Sequence, residues 1–202
     1  PPPQTEEAIE LGLAFLARYQ EEDGNWSLDQ FARIDTRPTM VSDSAAIGLA
    51  VMAFQGAGYT HTQFKYKEAL RAAIDFLVRH QDKNGDYYFA QGSDGNQVVR
   101  LYSHAIVTLA LCEAYGMTQD PDLRDSVQKG LDFIVEAQHP ERGGWRYTPG
   151  RESDTSVSGW MVTALESGCR AGLEVPEEAL EKATSWLDRA QYPDQEYLYR
   201  YN

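Results

Sequence analysis

KGLDFIVEAQHPERGGW, residues Lys129–Trp145, decides how the rest of the chain is read. Apolar residues at helical spacing run up to Gln138, and a pair of glycines then turns the chain onto Trp145. The unit recurs. Gln20, Gln81, Gln138 and Gln191 each close an amphipathic helix, at spacings of 61, 57 and 53 residues. Between them the order is fixed: amphipathic helix, long polar loop, apolar helix, short loop. A repeat of this length and order is an array of helical hairpins.

Working outward, periodicity predicts four amphipathic helices, over Glu6–Tyr19, Tyr66–His80, Leu123–Gln138 and Pro176–Gln191. In the first, Ile9, Leu13, Leu16 and Ala17 share one face. Three helices, Asp43–Gln55, Tyr102–Tyr115 and Thr155–Ala171, are apolar on most sides and therefore buried. Gly56, Gly58, Gly116 and Gly172 stand as their stop signals. Pro176 suits the first position of the last helix. Residues Tyr192–Asn202 trail off as an aromatic tail. The expectation is an all-α protein of about seven main helices, apolar ones inside and amphipathic ones outside. Pro1 to Thr5 is expected to end a Pro-rich linker, with one domain over residues 6–202. The long loops gather at one rim, where functional residues concentrate.

Composition sets limits on function. With 18 basic and 31 acidic residues the net charge is −13, the wrong sign for a nucleic-acid partner. No apolar run approaches the roughly 18 residues of a membrane span. Cys112 and Cys169 lie in apolar helical stretches and read as buried free thiols, with a disulfide left open. Neither has a partner at metal-ligand spacing, so no metal or cofactor is expected. Asp82 to Asp86, DKNGD, has some features of a calcium loop, but its glycine is misplaced and no Glu closes it. A solvated turn is the reading.

The repeated unit resembles the QW motif of squalene and oxidosqualene cyclases. That motif runs basic residue, Gly or Ala, two residues, aromatic or Leu, aliphatic, three residues, Gln, and then Gly–x–Trp after a short gap. Lys129, Gly130, Phe133, Ile134, Gln138, Gly143 and Trp145 meet every position. Gly12, Phe15, Leu16, Gln20, Gly24 and Trp26 meet all but the basic one, where Leu11 stands. Ala73, Phe76, Leu77, Gln81 and Gly85 match, with Tyr87 for Trp; Lys182, Ala183, Trp186, Leu187 and Gln191 match without the Gly–x–Trp half. The resemblance implies an α/α-toroid, here incomplete, of the terpenoid cyclase superfamily. YSHAIVTLALCEAYGMT and GGWRYTPGRESDTSVSGW are similar to prenyltransferase/squalene-oxidase-repeat domains of planctomycete-type bacteria. Those relatives imply a domain outside the cytoplasm, tethered through an upstream Pro-rich linker. The Gln is expected to bond its own helix's last carbonyls and a neighbour's first N–H groups, with the aromatic stacked on its amide.

The family's chemistry is harder to place. The cyclases protonate their substrate with the central Asp of D-x-D-D-T. Here the matching stretch is Arg151-Glu152-Ser153-Asp154-Thr155, so Ser153 stands where the acid belongs. Ser42-Asp43-Ser44 occupies the equivalent helix start, and Ser or Asp there is what an N-cap needs. The Asp-x-Cys of prenyltransferases and the Cys-Gly-Glu-Gln of thioester domains are missing. Asp154, Glu152 and His104 remain as catalytic candidates, against a capping or structural role for each. A ligand site is expected among Asp43, Arg100, Tyr102, His104, Arg146, Tyr147, Arg151, Asp154 and Trp160. The leading expectation is a non-catalytic domain that binds an apolar or isoprenoid small molecule or a protein partner, including a second copy. A cyclase with a non-standard acid is the alternative, and a carbohydrate-active toroid the weaker one.

Overall fold

The computed structural model describes residues 2–28, 41–89 and 97–202. These residues form seven α-helices and one small hairpin: α1 (Pro3–Arg18), α2 (Asp43–Gly56), α3 (Lys67–His80), α4 (Gln97–Thr118), α5 (Pro121–Glu136), α6 (Thr155–Arg170), α7 (Glu177–Ala190), β1 (Gln191–Tyr192) and β2 (Gln195–Tyr199). The protein is all-α in class. Helix α4 lies between α2 and α6 and packs most extensively on both, which makes these three the inner row. Helices α3, α5 and α7 cover that row from outside, and α1 lies against α2.

Each outer helix is tied to the next by the repeated glutamine. Gln20 Nε2 donates to Gly24 O (3.1 Å) and Ala69 O (2.9 Å). Gln81 Nε2 does the same to Gly85 O (3.0 Å) and Ser126 O (2.9 Å), and Gln138 Nε2 to Gly143 O (2.7 Å) and Ala179 O (2.8 Å). The glutamine amide therefore reaches carbonyls near the neighbour's start, not the N–H groups expected there. A helical carbonyl has a second lone pair to offer, so the bond costs the helix nothing. The aromatic residue closes the corner by donation. Trp26 Nε1 and Trp145 Nε1 donate to the last-turn carbonyls of Leu16 (2.9 Å) and Ile134 (2.7 Å). Tyr87, standing for Trp, donates its hydroxyl to Ser126 O (2.8 Å).

The loop glycines are needed at these corners. Gly24, Gly85 and Gly143 take φ of +98°, +96° and +80°. A Cβ there would lie 2.2 Å from Ala72 O, 2.2 Å from Lys129 O and 2.3 Å from Lys182 O, so only glycine lets the loop rest on the next helix.

Several boundaries differ from the periodicity. Helix α1 opens at Pro3, so residues 3–5 are helical; Pro176 caps α7 from outside. Helix α4 begins at Gln97, which places Arg100 in a helix rather than a loop. It also runs through Gly116. That glycine is spacing, not a stop: a Cβ would sit 3.4 Å from Ala171 Cβ, and the chain turns at Gln119, φ +51°. The tail does not trail off. β1 pairs antiparallel with β2, and the Thr155 N–H donates to Tyr201 O (2.9 Å) at the start of α6. Both thiols are free; Cys112 is buried as expected but Cys169 is exposed. In α1 Leu13 is buried, whereas Ile9, assigned to its core face, is 42% exposed.

Candidate functional site

The inner helices begin where the candidate residues cluster, and their starts are built alike. Ser42 caps α2 through the Ala45 N–H (3.3 Å), and Asp154 caps α6 through the Val157 N–H (2.8 Å). Asp43 is the first residue of α2 and accepts from the Leu28 N–H (3.0 Å). Both carboxylates thus hold backbone, Asp154 as an N-cap and Asp43 by fixing the loop at Leu28.

Of the nine expected ligand residues, the structure gathers four at the rim above α6. Tyr102 donates its hydroxyl to Ser156 Oγ (2.8 Å), and its ring lies 6.3 Å from that of Tyr147. The Arg146 guanidinium sits over Tyr147 at 4.9 Å and over Tyr201 at 5.8 Å, distances at which a cation is drawn to a ring face. It also meets Glu152 Oε2 (3.1 Å) and lies 3.6 Å from Asp154 Oδ2. The Asp154 carboxylate is fully buried, and its Oδ2 has no hydrogen bond. Tyr201 completes the group through a 2.6 Å bond between its hydroxyl and that of Tyr147. Its role was not legible, because a tyrosine in an aperiodic tail carries no positional signal. Arg151 stays exposed on the loop, outside the cluster. Trp160 is half-buried and packs against the core.

Arg100 and His104 belong elsewhere. They converge on Asp86, which is 2% exposed. Arg100 Nε donates to Asp86 Oδ2 (2.7 Å), and His104 Nδ1 lies 3.1 Å from both Asp86 Oδ1 and the Tyr87 backbone nitrogen. His104 Nε2 faces Gly130 O at 3.0 Å. Burial on its own would raise the Asp86 carboxyl; His104, the Tyr88 N–H and Arg100 outweigh it and hold the carboxyl below its ordinary range. The imidazole is wholly buried, its ring 4.5 Å from Phe133, with both nitrogens engaged. His104 has the surroundings of a structural histidine. Asp82 meanwhile accepts from the backbone of Asn84 (2.7 Å) and Asp86 (3.0 Å), the pattern of a local turn.

Among the described residues an apolar cavity lies at the α2 end of the inner row. About 730 Å³ opens between α1, α2 and α4, within the roughly 300–1,000 Å³ typical of small-molecule sites. Its described walls include Leu16, Trp26, Ala46, Leu49, Val99 and Ile106. The serine hydroxyls there are turned on the protein itself. Ser42 Oγ and Ser103 Oγ lie 2.7 Å apart, and Ser103 donates to Val99 O (2.7 Å). Tyr102 borders the cavity as well as the rim. No carboxylate stands among the described lining residues; Asp43, Glu152 and Asp154 are all outside it.

An all-α array of outer helices braced by Gln–Gly–aromatic corners around an inner row is thus established on geometry. No family model matches the chain. Over 134 residues, 66% of its length, the chain is 26% identical to drimenyl diphosphate synthase from Streptomyces showdoensis. The match spans 24% of that relative, so the chain corresponds to about a quarter of it. The similarity supports a distant terpenoid-cyclase-like relationship.

Proposed function

We propose that the chain is an apolar-ligand-binding domain of terpenoid-cyclase type, holding an isoprenoid-class molecule between α1, α2 and α4. The observation that carries this is the cavity: large, lined by aliphatic and aromatic groups, with its hydroxyls bonded internally. Burying an isoprenoid there gains roughly 25 cal/mol per Å² of apolar surface. The similarity to a drimenyl diphosphate synthase favours the same ligand class. A neutral chain also suits a protein of charge −13. The reading is non-catalytic because both candidate acids, Asp154 and Glu152, face Arg146 at the rim rather than the cavity. The domain is further proposed to act outside the cytoplasm, as its resemblance to prenyltransferase/squalene-oxidase-repeat domains implies.

Titration with farnesol, followed by tryptophan fluorescence, tests the reading, because Trp26 lines the cavity. Saturable binding is expected, with Ala46→Phe weakening it at least about tenfold by filling the space. Equal binding by that variant would overturn the assignment. Incubation with farnesyl diphosphate or squalene should return both unchanged; a cyclised product lost in Asp154→Asn would establish the enzyme reading instead.

A further inference from the structure

The cavity between α1, α2 and α4 has a floor and a mouth. Trp26, Ala50 and Ile106 line it and are buried, whereas Leu49 of α2 and Val98 of α4 line the same space and are 48% and 40% exposed. The polar atoms stand on the buried side. Ser42 and Ser103 line the cavity there, Ser44 bonds Ser42, and all three are buried. Such a floor attracts a ligand's oxygen only if it has a proton or a reachable lone pair to offer. A serine hydroxyl has one proton and two lone pairs. Ser103 gives its proton to Val99 O at 2.7 Å, and a carbonyl can only accept. In the 2.7 Å contact between Ser42 and Ser103 the donor is therefore Ser42. In the 3.1 Å contact between Ser42 and Ser44 it is then Ser44. Ser42 also accepts from the Ala45 N–H (3.3 Å), so its proton and both lone pairs are engaged. Of the two lining serines only Ser103 keeps a lone pair, and Ser103 has no exposed surface through which a ligand could reach it.

We infer, resting on the isoprenoid reading above, that the cavity takes its ligand hydrocarbon end first and leaves the heteroatom-bearing end in water beyond Leu49 and Val98. An oxygen carried down to the serines would lose its water and gain no donor there, a penalty that the hydrocarbon end escapes. The three hydroxyls tie the start of α2 to α4 and do not touch the ligand. The site therefore reads the chain and not the group attached to it. Its ligand class is a prenyl chain joined to a bulky polar head, such as an S-prenyl cysteine, as readily as the free alcohol. A domain of this kind carries the chain and presents the head to the surrounding water.

The test titrates the full chain with farnesol and with S-farnesylcysteine, a zwitterion near pH 7, and follows the fluorescence of Trp26, which lines the cavity. Dissociation constants within about threefold of each other are expected. A nitroxide placed on the amino group of S-farnesylcysteine then reports the direction of entry. It should broaden the methyl signals of Leu49 and Val98 more than the indole signal of the buried Trp26. Farnesol bound at least about tenfold more tightly than S-farnesylcysteine would overturn the inference, because the head would then have to fit inside. Broadening strongest at Trp26 would overturn it as well, by placing the head at the floor. Either result, with farnesol still saturating the cavity, leaves the isoprenoid reading standing and removes the orientation alone. Failure of both compounds to bind would remove the reading and this inference together.

Discussion

The first and third repeats carry the same motif and put it to different uses. In α5, Phe133 is 7% exposed, with the His104 ring at 4.5 Å and the Arg100 guanidinium at 5.7 Å from its ring. In α1, Phe15 at the equivalent position is 51% exposed. Gly130 is wedged against Tyr87 and Thr108, whereas Gly12 meets open space. The brace residues are alike, so the difference lies in the neighbour: α5 has an inner helix before it, and α1 has none among the described residues. Where the layer continues, the motif is core. In α1 the same positions are more exposed among the described residues, and Leu16 of that helix lines the 730 Å³ cavity. The proposed ligand site sits at the α2 end of the inner row.

The contrast should be largest for the aromatic pair. Phe133→Ala is expected to cost about 3–5 kcal/mol and Phe15→Ala clearly less, because Phe133 is 7% exposed and Phe15 51%. Urea midpoints would show it, and equal losses would erase the distinction. The glycines should differ in sign. Gly130→Ala forces a methyl against the buried Tyr87 ring and should cost about 1–3 kcal/mol. Gly12→Ala should stabilise by about 0.5–1 kcal/mol, the ordinary gain of alanine over glycine inside a helix. The glutamines come next. Gln138 is buried, and Gln138→Ala, which strips Gly143 O and Ala179 O of their donor, should cost about 1–3 kcal/mol. Gln20 is half-buried, and Gln20→Ala should cost about 1 kcal/mol or less, since water can replace its bonds.

The smallest effect is a pH dependence in the group that covers Phe133. The folded Asp86 carboxyl titrates below the ordinary carboxylate range, held there by His104, the Tyr88 N–H and Arg100. Its stabilising contribution is therefore complete above the unfolded carboxyl range and is lost as pH falls through the lower folded value. In Asp86→Asn that part of the acid slope should vanish, which melting temperatures between about pH 5 and pH 2 would reveal. An unchanged slope would mean that Asp86 does not hold Arg100 and His104 over the third repeat.

The architecture was legible because it is periodic. Glutamines at 61-, 57- and 53-residue spacing, with glycine and an aromatic after three of them, fixed the number and order of helices. What stayed hidden depends on contacts between distant residues. Asp86 looked like part of a solvated turn until α4 brought Arg100 and His104 to it. Gly116 looked like a stop because a sequence cannot show that α6 ends against it. Ile9 lies on the apolar stripe of α1 yet is exposed, since periodicity marks which face wants burial and not whether a neighbour is there. The rim cluster was half legible. Tyr102, Arg146, Tyr147 and Asp154 lie together, while Arg100 and His104 meet Asp86 and Tyr201 joins the rim from the tail.

The central claim is that ligand binding belongs to the apolar cavity of the first repeats and not to the arginine–tyrosine rim. Methyl and aromatic NMR shifts of the full chain titrated with farnesol test it most directly. Saturable shifts at Ala45, Ala46, Leu49 and Ile106, with Arg146 and Tyr201 unmoved, are the predicted result. Shifts centred on Arg146, Tyr147 and Tyr201, with the cavity methyls unmoved, would contradict it.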